Sequence, residues 1–315
     1  MKVEKVFVPS SADGSFQDAY FCRAEVSGPR PLLVGLHTWS MCFRDGFDRF
    51  RDVCEKMGWD LIYPNFRGPN WSGQAMGSHY VVTDLMDARQ YAIEHSDIDP
   101  ERIYLAGGSG GGHASLLMAG RTPKAWAGVS SWCPISDIEA WHDQCLPKEN
   151  CRPYALEIEA AVGGNPGESL LARLRCEERS PLTWLPAATN QVILDINTGI
   201  HDGHTGSVPV SHAIRAFNAV AAPEDRIAES DIRTMVETET VPSHLRWDGS
   251  DPAYGKHTVL LRRVSGLVRL TLFEGGHDLV LPAALAFLDK CRHHQQPDWS
   301  PRQPVLPFGD SELSK

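Results

Sequence analysis

Two glycine-rich strings hold the residues best suited to chemistry. In Gly107-Gly108-Ser109-Gly110-Gly111 one serine sits among glycines, and in Glu274-Gly275-Gly276-His277 a histidine ends a similar run. A serine hydroxyl becomes a nucleophile only when a base takes its proton, and imidazole is the side chain whose ordinary pKa suits that task near neutrality. The serine string fits G-x-S-x-G, the turn by which a strand passes abruptly into a helix. Its corner residue is strained, and glycines two positions away let the turn close. The Gly110 amide would then open the helix, where unpaired N–H groups and the helix dipole favour a developing oxyanion. A phosphate-cradling loop fits less well, because neither Lys-Ser nor Lys-Thr follows the glycines.

The flanking elements agree with such a turn. Ile103-Tyr104-Leu105-Ala106 has the length of a buried strand, and Ala114, Leu116, Leu117, Met118 and Ala119 suit a buried helix behind it. Residues 3–8 and 18–26 predict an antiparallel pair around Ala12-Asp13-Gly14, at the edge of a larger sheet. Residues 31–36 form a continuous apolar run, the mark of a strand covered on both faces, and end at His37-Thr38-Trp39. A helix over 47–57, a strand over 60–64, a helix over 82–95 and strands over 127–133, 191–196 and 267–273 continue the alternation. That pattern implies a mainly parallel sheet with helices on both faces and a site at the carboxyl ends of the strands.

Composition narrows the function classes. The 315 residues carry a formal charge of −10 and an estimated pI near 5.7, with no long basic run, so neither nucleic acid nor an anionic membrane is expected as a partner. No stretch matches a signal peptide or a membrane span, and a cytoplasmic protein is expected. Eight cysteines without a C-x-x-C pair are expected to be mostly buried thiols; Cys145 and Cys151 flank a polar loop and could pair only in an oxidising compartment.

Residues 64–73, PNFRGPNWSG, then a helix, then 97–112, DIDPERIYLAGGSGGG, resemble the catalytic domain of the prolyl oligopeptidase family within the α/β-hydrolase superfamily. Members carry an RGS-like loop, a DPxRI turn and a GxSxGG elbow in that order. The resemblance spans roughly residues 30–292 and implies an α/β-hydrolase fold in one domain, 1–294, followed by a tail, 295–315. It also implies a cap insertion, placed at 139–186; a second insertion, 222–257, is expected at the surface. Only about thirty residues precede the first core strand, where peptidases of that family usually carry a propeller, so an open site is expected.

The resemblance further implies a triad in the chain order Ser, Asp, His: Ser109, Asp202 and His277. The acid belongs in the loop ending Val208-Pro209, yet the usual spacing falls on Thr205. Asp202, three positions earlier, serves only if the loop takes a different path; Asp195 inside the strand and Asp137 after the preceding one are its rivals. In resembling esterases the second oxyanion donor often lies two residues after the loop histidine, which favours Trp39 over Thr38 as the partner of Gly110. No cofactor is expected. The cluster His201, Asp202, His204 and His212 admits a metal reading, but the Val-Pro context already accounts for that loop, so no metal is assigned.

His37, Arg67, Trp71 and Trp141 are the candidate substrate contacts, since tryptophan faces suit sugar rings or aromatic acids. The expected activity is hydrolysis of small or carbohydrate-borne carboxylic esters. A serine exopeptidase or oligopeptidase acting on short peptides is the alternative, although no paired-glutamate motif for a free amino terminus is present. A catalytically idle binding protein of the same fold is the third reading. The oligomeric state is left open.

Overall fold

The computed structural model describes residues 1–301 and 303, so residues 302 and 304–315 of the expected tail lie outside the described residues. Nine strands are found among them: β1 (Lys2–Pro9), β2 (Phe16–Arg23), β3 (Arg30–Leu36), β4 (Asp60–Pro64), β5 (Ile98–Gly108), β6 (Gly128–Trp132), β7 (Leu194–Gly199), β8 (Val259–Ser265) and β9 (Val268–Phe273). They form one sheet in the order β1-β2-β4-β3-β5-β6-β7-β9-β8. β3 to β7 and β9 run parallel where they pair, while β1, β2 and β8 join antiparallel.

The helices are α1 (Phe47–Met57), α2 (His79–His95), α3 (Gly110–Arg121), α4 (Ile138–Cys145), α5 (Arg152–Val162), α6 (Leu170–Arg179), α7 (Pro181–Trp184), α8 (Ser211–Val220), α9 (Glu229–Thr238) and α10 (Leu281–Leu288). The strands sort them onto two faces by their two-residue period. Leu32, Val34 and Leu105 join Leu85, Leu117 and Phe217 from α2, α3 and α8 in one core. Leu33, Tyr104 and Ala106 join Phe50, Cys54 and Leu285 from α1 and α10 in the other. Each leucine, valine or phenylalanine among them contributes about 1.5–3 kcal/mol by leaving water, and burial on both faces explains why these strands read as unbroken apolar runs.

Several features differ from expectation, among them the start of α2 at His79 and not at Val82. β7 starts at Leu194, three residues later than the apolar run, because Gln191 closes a turn onto Ala188 O and Val192 lies in a bend. β8 was not anticipated: its Arg262 and Arg263 interrupt the apolar pattern, as an antiparallel strand at a sheet edge allows. The insertion at 222–257 is not confined to the surface. Ile232, Met235 and Val241 enter the core, and buried Tyr254 donates its hydroxyl to Asn197 Oδ1 at 2.5 Å.

Residues 138–184, close to the expected 139–186 insertion, carry α4 to α7 and a third apolar cluster. Ile138, Trp141, Ile158 and Ala172 pack there with Trp39 and Val208 from the main domain. All eight cysteines stand as free thiols, Cys145 and Cys151 included, and seven are buried. No described helix is long and apolar enough to cross a membrane.

Candidate active site

Ser109 occupies the corner between β5 and α3 with φ 57° and ψ −118°, a conformation that costs a non-glycine residue about 1–3 kcal/mol. The surroundings enforce it. A Cβ at Gly107 would lie 2.7 Å from the Gly111 carbonyl carbon, and one at Gly111 would lie 2.7 Å from Leu36 O, so both positions must be glycine for the corner to close. The Ser109 amide donates to Trp132 O at 2.8 Å, tying the corner to the end of β6.

Next to it two amides converge. Gly110 begins α3, and its Cα is so near the loop after β3 that a Cβ would stand 2.5 Å from Trp39 Cα and closer still to Trp39 N. Among the described residues neither the Gly110 nor the Trp39 N–H has a main-chain acceptor. Two unpaired donors side by side next to a hydroxyl can stabilise a negatively charged oxygen.

The loop after β7 turns early. Gly203, at φ 93° and packed against Pro209, lets the chain turn at once, and Thr205 N bonds back to His201 O at 3.0 Å. The turn carries Asp202 into a buried position, where His277 Nδ1 donates to its Oδ2 at 2.7 Å. The other carboxylate oxygen accepts from Gly203 N at 2.9 Å and Val208 N at 3.2 Å, and Thr198 Oγ1 lies 3.5 Å from Oδ2. Burial opposes the charge of His277, but the Asp202 hydrogen bond and the neighbouring Cys133 outweigh it and hold its pKa well above the ordinary histidine value.

The rival carboxylates are occupied elsewhere. Asp137 caps α4 by accepting from Ala140 N at 3.0 Å. Asp195 pairs with buried Arg269 at 2.8 Å and accepts from Ser130 and Asn197. The four residues of the metal reading do not converge on one point: His201 and His204 both meet Glu239, Asp202 faces His277, and buried His212 meets Gln144.

Ser109 and His277 open on one cavity of about 430 Å³. Its apolar wall includes Met41, Phe50 and Leu279, and its charged groups are Asp45, Arg49 and Asp278. None of these was anticipated, nor was Cys133, which also lines the cavity; the available signal was its place immediately after β6, at the carboxyl end of a strand.

None of the four expected substrate contacts lies in this wall. His37 is buried, stacked on Phe66 with its ring nitrogens 2.9 Å from Thr38 O and Asn65 O, and burial lowers its pKa. Arg67 is 5% exposed and locked between Asp84 at 2.6 Å and Asp13 at 2.8 Å, pinning the β1–β2 turn to α2. Trp71 is 47% exposed. Trp141 is buried, bonds Ser207 O at 2.8 Å and meets the Trp39 ring edge-on, so neither indole borders the cavity.

The 138–184 helices hold the loops that carry Trp39 and Asp202. Besides the Trp141 bond to the acid loop, Lys148 Nζ donates to Gly203 O at 2.9 Å, and Glu157 accepts from Trp39 Nε1 at 2.7 Å. No residue of this segment lines the cavity.

Comparison with known proteins adds a lineage to the geometry. The chain superposes on a Mycobacterium tuberculosis puromycin-hydrolyzing peptidase at 18% identity and a TM-score of 0.61, with 96% of this chain and 40% of that one covered. It also matches a Pyrococcus horikoshii acylaminoacyl peptidase at 12% identity and a TM-score of 0.62, covering 95% and 43%. An acylaminoacyl peptidase in complex with Z-Gly-Gly-Phe-chloromethyl ketone matches at 16% identity and a TM-score of 0.55, covering 70% and 35%. The first two share the α/β-hydrolase fold over nearly all of this chain, which spans about two-fifths of their length. A search of curated proteins returned no match. The sequence model described as the prolyl oligopeptidase family matches residues 47–235, and with more than half of its length inside that match the chain belongs to the prolyl oligopeptidase family.

Proposed function

We propose that the protein is a serine peptidase that cleaves amide bonds in short peptides or aminoacyl amides through an acyl-enzyme on Ser109. The observation that carries the reading is the convergence of a strained Ser109 and the His277–Asp202 pair on one cavity. His277 removes the Ser109 proton as Oγ attacks the carbonyl carbon, and the resulting oxyanion is held by the amides of Trp39 and Gly110. The imidazolium, stabilised by Asp202, passes that proton to the departing amine, and the C–N bond breaks. Water then loses a proton to His277, attacks the acyl-enzyme and releases the acid, restoring Ser109. General base catalysis in such a step contributes about 10²–10⁴-fold.

Amide cleavage is favoured over the ester hydrolysis expected from sequence on two grounds. The family is one of serine hydrolases named for a peptidase, and the structural neighbours are named as peptidases. The cavity also offers both signs of charge: Asp45, Arg49 and Asp278 have no ion-pair partner among the described residues, and they suit the charged ends of a short peptide.

The test uses purified protein and Ser109→Ala, each given aminoacyl p-nitroanilides and short-chain p-nitrophenyl esters. Anilide turnover that disappears in the variant is expected. Turnover confined to the esters would restore the ester reading, and no turnover together with no fluorophosphonate labelling would leave an idle binding protein.

A further inference from the structure

The Asp202–His277 pair has a third neighbour that peptide hydrolysis does not require. Cys133 follows β6 with φ 46°, is buried, and points its thiol at the pair; its Sγ donates to Asp278 O at 3.4 Å. One ligand atom from each of Cys133, Asp202 and His277 falls within 4.8 Å of the other two. We propose that these three residues form an inhibitory binding site for a borderline-soft divalent cation of the zinc or cadmium class. The inference rests on the proposed role of His277 as base, and it adds a means of regulating that base.

The donor set suits such an ion. Thiolate, imidazole and carboxylate are the three ligand types that hold Zn²⁺, with bonds of about 2.0–2.3 Å that place tetrahedral ligands about 3.5 Å apart. Side-chain shifts of roughly 1 Å bring the present atoms to that spacing. The fourth position opens toward water in the cavity, which both Cys133 and His277 line and which gives the ion its path. Asp45 and Asp278 outnumber Arg49 on the same wall, and in a protein of formal charge −10 this leaves the cavity favourable to cations.

Binding balances in charge and protons. The Cys133 thiol and the protonated His277 imidazole each give a proton to solvent, and the thiolate and the Asp202 carboxylate together cancel the two charges of the ion. One ring nitrogen of His277 is then bonded to metal, and the proton relay between Ser109 and Asp202 is broken. Cys133 has no step in hydrolysis; its part is to add a soft ligand beside the imidazole. Hard cations such as Mg²⁺, which require oxygen-rich shells, gain nothing from it.

Two measurements on the full chain test the site separately from the activity. The first titrates hydrolysis with Zn²⁺, each protein being referred to its own uninhibited rate. Wild type is expected to lose activity reversibly, with recovery on adding EDTA, whereas Cys133→Ala requires at least tenfold more Zn²⁺ and Mg²⁺ has no effect at the same concentration. The second adds Cd²⁺ to Ser109→Ala, which has no turnover, and follows the ultraviolet charge-transfer absorption of a Cd²⁺–thiolate bond. The band is expected in Ser109→Ala and lost in Ser109→Ala/Cys133→Ala. Equal Zn²⁺ inhibition of wild type and Cys133→Ala, or no Cys133-dependent band, would overturn the site. A band without any wild-type turnover would overturn the proposed activity and leave the site standing.

Discussion

An alanine at position 110 would carry its Cβ 2.5 Å from Trp39 Cα and nearer still to Trp39 N. Non-bonded carbons need about 3.5 Å, so the loop must withdraw by about 1 Å and take the Trp39 amide with it. The colliding atoms are backbone, and the Trp39 side chain cannot absorb the shift, being held by Glu157 and packed edge-on against Trp141. An oxyanion donor acts over about 2.7–3.1 Å, and losing one costs about 10²–10³-fold in kcat, or 2.7–4 kcal/mol. Gly110→Ala is therefore expected to lower kcat on an aminoacyl p-nitroanilide by about a hundredfold or more. KM should change much less, because the interaction is made in the transition state. Circular dichroism and Tm should show the fold retained. Turnover within about threefold of wild type would refute the pairing of these two amides as the oxyanion site.

Four other outcomes follow from the geometry. Asp202→Asn should reduce kcat by about 10⁴-fold with the fold retained, while Asp137→Asn, altering only the cap of α4, should leave kcat near wild type. The raised pKa of His277 predicts that kcat/KM climbs with pH through a midpoint above about 6.5, since only the neutral imidazole is a base; a midpoint below that value would contradict the Asp202 contact. Arg67→Met should lower urea stability by about 3 kcal/mol by leaving the buried Asp84 carboxylate without its cation and with Ser10 Oγ as its remaining donor, without affecting kcat/KM of the folded protein. Burial depresses His113 to about 4 and His212 to about 3. Their unfolded pKa values lie near 6.5, so the unfolded chain binds the extra protons below that pH, and stability should fall between pH 6.5 and 5 with a slope of up to about 1.4 kcal/mol per pH unit for each histidine. Stability that stays flat over that window, by urea denaturation, would show that these imidazoles are not held neutral.

Much of the frame is legible without coordinates because its signals are local. A strand buried on both faces must be apolar at every position, as Pro31 to Leu36 is, and a strand-to-helix corner must place glycines where Gly107 and Gly111 stand. The resemblance of two separated segments then orders the rest. Local signals fail where an element depends on its neighbour: β8 carries two arginines and exists because β9 offers it an edge, and Tyr254 is core because Trp132 and Phe273 pack its ring and Asn197 meets its hydroxyl.

By itself the sequence determined that Ser109 is a corner residue and that the sheet is mainly parallel, since glycine requirements and apolar runs act over a few residues. Which side chains meet was decided by tertiary structure. Trp141 and Arg67 have the types that bind ligands, yet one is buried under the acid loop and the other between two carboxylates. Asp202 reaches His277 only because Gly203 turns the loop against Pro209, and Cys133 reaches the same imidazole from another strand. These contacts span 75 and 144 residues of chain (277 minus 202, and 277 minus 133), and packing across the sheet, not spacing along it, sets their distances.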